Sequence, residues 1–143
     1  MRDRCIRGLV TLTFVVLMAS CGSDNASISK PEFVSKANAL CTSFSETISK
    51  PEVALGPGST EEQVTTFITD VLVPEFSDTI NAIRGLGFPD GDEVALEEML
   101  AETEKVLAEL AADPGATLTM PMSPFTSVNI KLKDYGLTVC AES

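Results

Sequence analysis

The sequence predicts an all-α fold: an up-down four-helix bundle with a kinked second helix and a short fourth helix, following a cleaved leader. Three observations carry this. Apolar residues recur at helical spacing in four separate stretches. Each stretch opens on a capping residue and closes on glycine or proline. Strand-type alternation is confined to two brief pieces, Thr117–Met122 and Leu137–Cys140.

The first predicted helix opens on Ser29-Lys30-Pro31-Glu32, which reads as a capping box with proline in the first turn, where it is tolerated. Phe33, Ala37, Leu40, Cys41, Phe44 and Ile48 form its stripe, and Pro51 stops it. Leu55-Gly56-Pro57-Gly58-Ser59 is a loop by composition. The second helix, Thr60–Leu86, starts with another capping box, Thr60 with Gln63. Its stripe runs through Val64, Phe67, Ile68, Val71 and Leu72 and continues through Phe76, Ile80 and Ile83. Pro74 interrupts it, and an interior proline removes a hydrogen bond and clashes one turn back. The unbroken stripe favours a kink at Pro74 over two separate helices. Gly85 and Gly87 end it.

The third helix is expected to start at Asp90 with Glu93 at its third position, to bury Leu96, Met99, Leu100, Thr103, Leu107 and Leu110, and to close at Asp113-Pro114-Gly115. The fourth is expected to take Ser123 as N-cap and Pro124 as first residue, with Phe125, Val128, Leu132 and Tyr135 on one face. Gly136 supplies its left-handed terminus and Leu137–Cys140 a short extended tail. Helices joined by short links pack as antiparallel neighbours.

Ahead of the helices, Arg2, Arg4 and Arg7 precede an apolar run, Leu9–Met18. A membrane span needs about 20 apolar residues, so this run has signal-peptide length instead. Cys21 follows the small residues Ala19 and Ser20 directly. The junction resembles the bacterial lipobox, whose cysteine is acylated and becomes the mature N-terminus. It departs in having Met18 where leucine is preferred. The alternative is an ordinary secretory signal with a chance cysteine. The expected organisation is a lipoprotein signal peptide over 1–20, a flexible tether over 21–28 and a helical domain over 29–143, with Cys21 as lipidation site. The resulting anchor would hold the protein on the extracytoplasmic face of the cell membrane; two or three acyl chains make such anchoring stable.

The whole chain carries 10 basic and 21 acidic residues. Loss of residues 1–20 removes Arg2, Arg4, Arg7 and Asp3, leaving 7 and 20, a net charge near −13. Such a chain is a poor nucleic-acid partner, because phosphates must be neutralised by lysine and arginine. Asn25-Ala26-Ser27 matches a glycosylation sequon and reads as coincidence. With Cys5 removed and Cys21 acylated, Cys41 and Cys140 remain. In an exported chain the inference is an intramolecular disulfide; the alternative is two buried thiols.

The two ends of the domain, Phe33-Val34-Ser35-Lys36-Ala37-Asn38-Ala39-Leu40-Cys41 and Tyr135-Gly136-Leu137-Thr138-Val139-Cys140, resemble a group of small actinobacterial secreted proteins and lipoproteins. In that group an F-x-x-K-A-(N/D)-A-x-C segment opens the domain and Y-G-L-x-x-C closes it. Leu86–Asp92 is similar to the group's link between helices. The resemblance implies a disulfide-stapled helical domain outside the membrane and no particular activity.

The chain contains no histidine. That excludes Ser-His-Asp and Cys-His catalysis and the usual general base. Asp90-Gly91-Asp92-Glu93 has a faint calcium-loop look, but Val94 and Ala95 stand where such a loop needs an oxygen ligand and a glycine. Helix capping accounts for these acids, and no metal or cofactor is expected. Glu97, Glu98, Glu102, Glu104 and Glu109 make an acidic face that reads as solvated surface, with a docking face as alternative. Arg84, the last arginine in the chain, either pairs with an acid or binds an anionic ligand. Lys131 and Tyr135 lie one turn apart, which invites an acid–base pair, though Tyr135 also suits a core aromatic.

The functional expectation is a non-catalytic binding or scaffolding module in the cell envelope, held to the membrane by its lipid and facing an envelope protein or a wall component. The alternative is a carrier of an apolar small molecule or lipid between the helices. A hydrolase that uses paired carboxylates ranks below both.

Overall fold

A computed structural model of the chain describes residues 27–50, 55–56, 58–115 and 123–142. The expected leader, Cys21, Asn25, most of the tether, Pro51 and the Thr117–Met122 piece lie outside the described residues. The described chain is all-helical, without a strand among these residues.

Helix α1 spans Lys30–Ile48. The Ser29 hydroxyl accepts the Glu32 N–H at 3.4 Å, so half of the expected capping box forms. The Glu32 carboxylate pairs with Lys36 one turn on, at 2.7 Å. Helix α2, Glu61–Phe67, carries the complete box: Thr60 N–H donates to Gln63 Oε1 at 2.8 Å and Gln63 N–H to Thr60 Oγ1 at 3.2 Å. Five π-helical residues, Ile68–Leu72, then lead without interruption into α3, Val73–Gly85. There Val73 N–H donates to Ile68 O, five residues back. Pro74 has no N–H for the carbonyl four residues earlier, and its ring would collide with that carbonyl in a regular α-helix. One wide turn just before the proline relieves the clash while the helix continues. The sequence registers the proline but not the wide turn.

Two helix starts differ from expectation. Helix α4 spans Glu93–Ala112, with Asp92 rather than Asp90 at the N-cap and no side-chain capping bond. Gly91, at φ 87°, turns the chain tightly there. The Glu93 carboxylate reaches back to Gly91 N–H at 2.7 Å instead of completing a box with Asp90. Helix α5 spans Thr126–Tyr135, three residues after the expected Ser123 cap. Ser123 holds the preceding turn, accepting Phe125 N–H on its hydroxyl and Thr126 N–H on its carbonyl. The tail is not extended as the sequence suggested: residues 138–139 turn, and Cys140–Glu142 form a 3₁₀ turn.

Helix α1 packs on α3, α3 on α4 and α4 on α5, and the C-terminal turn returns to α1. The main core joins Phe33, Ala37 and Cys41 of α1 to Ile80 and Ile83 of α3, to Leu96, Met99, Leu100 and Leu107 of α4, and to Val128 and Leu132 of α5. A separate small cluster, Val64, Ile68 and Leu110, fastens α2 and the π turn to the end of α4.

Candidate functional site

The chemistry-bearing residues fall into a clasp that joins the two ends of the domain and a set of groups along α4. The clasp begins with Cys41 and Cys140, bonded at 2.04 Å across 99 residues. One turn before Cys41, Asn38 reaches the same returning strand of chain. Its Nδ2 donates to Gly136 O at 3.2 Å, and its Oδ1 accepts Val139 N–H at 3.0 Å. Phe33 is fully buried, with the edges of Phe88 and Tyr135 against it at centroid distances of 5.9 and 6.2 Å.

Gly136 takes φ 110°, which lets Leu137 N–H close on Leu132 O at 2.8 Å and turn the chain off the end of α5. A side chain at Gly136 would be strained by that φ and would also face Val34 at 3.6 Å. Phe33, Ala37 and Cys41 of the first terminal segment, and Tyr135, Leu137 and Cys140 of the second, thus face each other across the core. These segments are spent on closing the domain.

Arg84 is an ion-paired residue. Its guanidinium donates to Glu97 at 2.8 Å and to Glu104 at 2.6 Å, two sites two turns apart on the same face of α4. These hydrogen bonds push the Arg84 guanidinium above its ordinary value, Glu104 contributing most, and hold the Glu104 carboxyl below its own. The acidic face is therefore largely engaged. Glu102 accepts Lys131 and the Ser127 hydroxyl, which lower its carboxyl in that order, and Glu109 lies 3.9 Å from Lys105.

Lys131 and Tyr135 line one groove of about 430 Å³, with Lys30, Ala95, Glu98, Met99 and Asp134. They do not form an acid–base pair. Lys131 is taken by Glu102, whereas the Tyr135 hydroxyl donates to Asp92 at 2.7 Å. Lys30 completes that cluster, its Nζ 3.5 Å from Asp92 and 3.8 Å from the centre of the Tyr135 ring. Burial first, and then the bond to Asp92, push the Tyr135 phenol upward, so it stays protonated at neutral pH. Asp90, Asp92 and Glu93 do not converge on one point, since Asp92 serves Tyr135 and Lys30 while Glu93 serves Gly91.

Across Glu98 lies a second groove, about 480 Å³, formed by Phe88, Val94 and Ala101 with Glu93, Glu97 and Glu98 around them. Val94, one of its lining residues, is 72 % exposed. Its signal in the sequence is a valine out of phase with the buried stripe of α4. Asn38 and Lys30 had no comparable signal, because their partners are distant in the chain.

No family model, no curated protein and no solved structure matches this chain.

Proposed function

We propose that the chain is a membrane-anchored lipoprotein of the extracytoplasmic face whose helical domain is a non-catalytic binding or scaffolding module in the cell envelope. The observation that carries the reading is the Cys41–Cys140 bond between the first helix and the end of the chain. A disulfide that closes nearly a whole small domain belongs to an oxidising compartment. The lipobox-like junction at Cys21 and the resemblance of the domain's ends to small actinobacterial lipoproteins point the same way. The topology that belongs to this reading is an up-down four-helix bundle bent near Pro74.

A binding role is supported by how the ionisable groups are used. Arg84, Lys131 and Tyr135 each hold a neighbouring side chain rather than a vacant position. The groove over Val94 lies along α4, and the groove at Lys131 and Tyr135 is an open cleft between α4 and α5 beside Lys30; both open to the surface, which favours a docking module over a carrier.

Cross-linking in intact envelope, followed by pull-down and native mass spectrometry, tests the role. Recovery of a defined protein or wall fragment is the expected result. Co-purified lipid would replace it with the carrier reading, and recovery of neither would overturn both. The anchor is tested by Cys21→Ala, which should release the protein from the membrane fraction or leave it uncleaved. Unchanged membrane attachment with a normally trimmed N-terminus would refute acylation at Cys21.

A further inference from the structure

We infer that the groove over Phe88, Val94 and Ala101 docks a lysine- or arginine-bearing amphipathic helix of a partner protein, its apolar side on these three residues and its cations against Glu93 and Glu98. This deepens the binding role proposed above and rests on it.

The floor and the rim differ in kind. Phe88, Val94 and Ala101 make the floor apolar, and every other lining residue is a glutamate. A β-branched valine on an exposed helix face contributes less to helix formation than the alanines and glutamates around it. Its exposure is therefore not explained by the stability of α4. The rim acids are not equivalent. Glu97 is neutralised by Arg84, whose guanidinium also serves Glu104. Glu93 accepts the Gly91 N–H and has no ion-pair partner among the described residues. Glu98 has no cation partner among the described residues. The groove thus offers a hydrophobic seat beside two uncompensated carboxylates, and charge complementarity selects a basic occupant.

The same features set the partner's form. Val94 and Ala101 are seven residues apart on α4, two turns or about 10.5 Å at 1.5 Å per residue. Aliphatic residues at i and i+7 of a second helix repeat that spacing, with i+3 or i+4 falling between. A second copy of this chain is disfavoured by its own net charge of −11. An anionic lipid surface is disfavoured because no lysine or arginine lines this groove.

The test uses the purified full-length protein and a labelled synthetic helical peptide carrying leucine at i, i+4 and i+7 with lysine on both flanks, read by fluorescence anisotropy. Wild-type protein should bind it, and binding should weaken as ionic strength rises from about 0.05 M to about 0.3 M. Val94→Glu and Glu98→Lys should each weaken it about tenfold, and Glu98→Lys should also flatten the salt dependence. Glu46→Lys, the same charge change on an exposed residue of α1, should leave binding unchanged. Circular dichroism should show the same helix content in all variants, since these side chains are exposed.

Absence of wild-type binding, full binding by Val94→Glu, or equal weakening by Glu46→Lys would each overturn the groove assignment. The envelope pull-down separates this from the broader role. A partner that Val94→Glu recovers as well as wild type would remove the groove and leave the binding module standing.

Discussion

The two ends of α4 are held in the domain by different means. Near its start, the first and last helical segments of the domain meet around a buried Phe33 between two aromatic rings, and two hydrogen bonds, one donated and one accepted by Asn38, and the disulfide tie the same segments together. Near its end, α2 and the π turn are attached through a small cluster whose buried members among the described residues are Val64, Ile68 and Leu110. The first region is closed by contacts between residues about 100 apart in the chain. The second depends on a small apolar cluster next to a helix already widened for a proline. Stability is therefore expected to be uneven, with α2 opening at lower free energy than α1 and α5. Amide exchange resolves this: α2 amides should exchange through local openings well before those of α1, and equal protection throughout would refute the contrast.

The largest expected effect comes from the disulfide. In the chain-entropy account, closing a loop of ~100 residues stabilises by about 4.7 kcal/mol. Replacing both Cys41 and Cys140 by alanine should remove a large part of that, read as a lower urea midpoint. Thiol titration of unreduced, denatured protein should find neither of these two sulfurs free. An unchanged midpoint in the double variant would refute the stabilisation.

Next is Asn38→Ala, which removes the hydrogen bond to the half-buried Gly136 carbonyl and the one from the Val139 N–H. The expected cost is about 1–3 kcal/mol. The matching truncation at the other end, Val64→Ala, should chiefly speed exchange in α2. If Asn38→Ala is silent while Val64→Ala lowers the global midpoint, the comparison is reversed.

Tyr135 gives a spectroscopic check, because it is the single tyrosine of the chain. Its folded value is raised by burial and by Asp92. A raised acid contributes stability that is fully present below the unfolded value near 10 and is lost as pH rises toward the folded value. Phenolate absorbance should therefore appear well above pH 10, and a normal titration at that pH would show the phenol to be solvated.

The smallest effect belongs to Arg84. Glu104 is held below its ordinary 4.5, so its contribution is present above that pH and is lost as pH falls through the lower folded value. The carboxylate is partly exposed, and the expected contribution is within about 1 kcal/mol. Arg84→Met should make stability less steep with pH below about 4.5. An acid limb identical to wild type would show that the pair adds nothing measurable.

Much of this domain is legible in short windows of sequence. The buried faces of the helices follow the apolar period, the Thr60–Gln63 box forms as its spacing requires, and Gly136 ends α5 in the left-handed conformation. The misplaced starts of α4 and α5 share a cause. Asp90 and Ser123 are good caps in isolation, but Gly91 and the Pro124–Phe125 turn redirect the chain before the helix begins. Of the candidate site residues, the sequence singles out Cys41, Cys140, Arg84, Lys131 and Tyr135, while Asn38 passes as an ordinary polar position.

What the sequence determined by itself is set by neighbours within a turn or two: which residues are helical and which faces are apolar. The tertiary structure alone decided that Arg84 would meet Glu97 and Glu104, that Asp92 would take Tyr135 across 43 residues, and that Asn38 would hold the chain's end. It also left Val94 uncovered beside Glu98. Periodicity records that a side chain faces inward or outward; only packing brings together groups that are remote in the chain, because a hydrogen bond or ion pair depends on ångström-scale placement that no local pattern encodes.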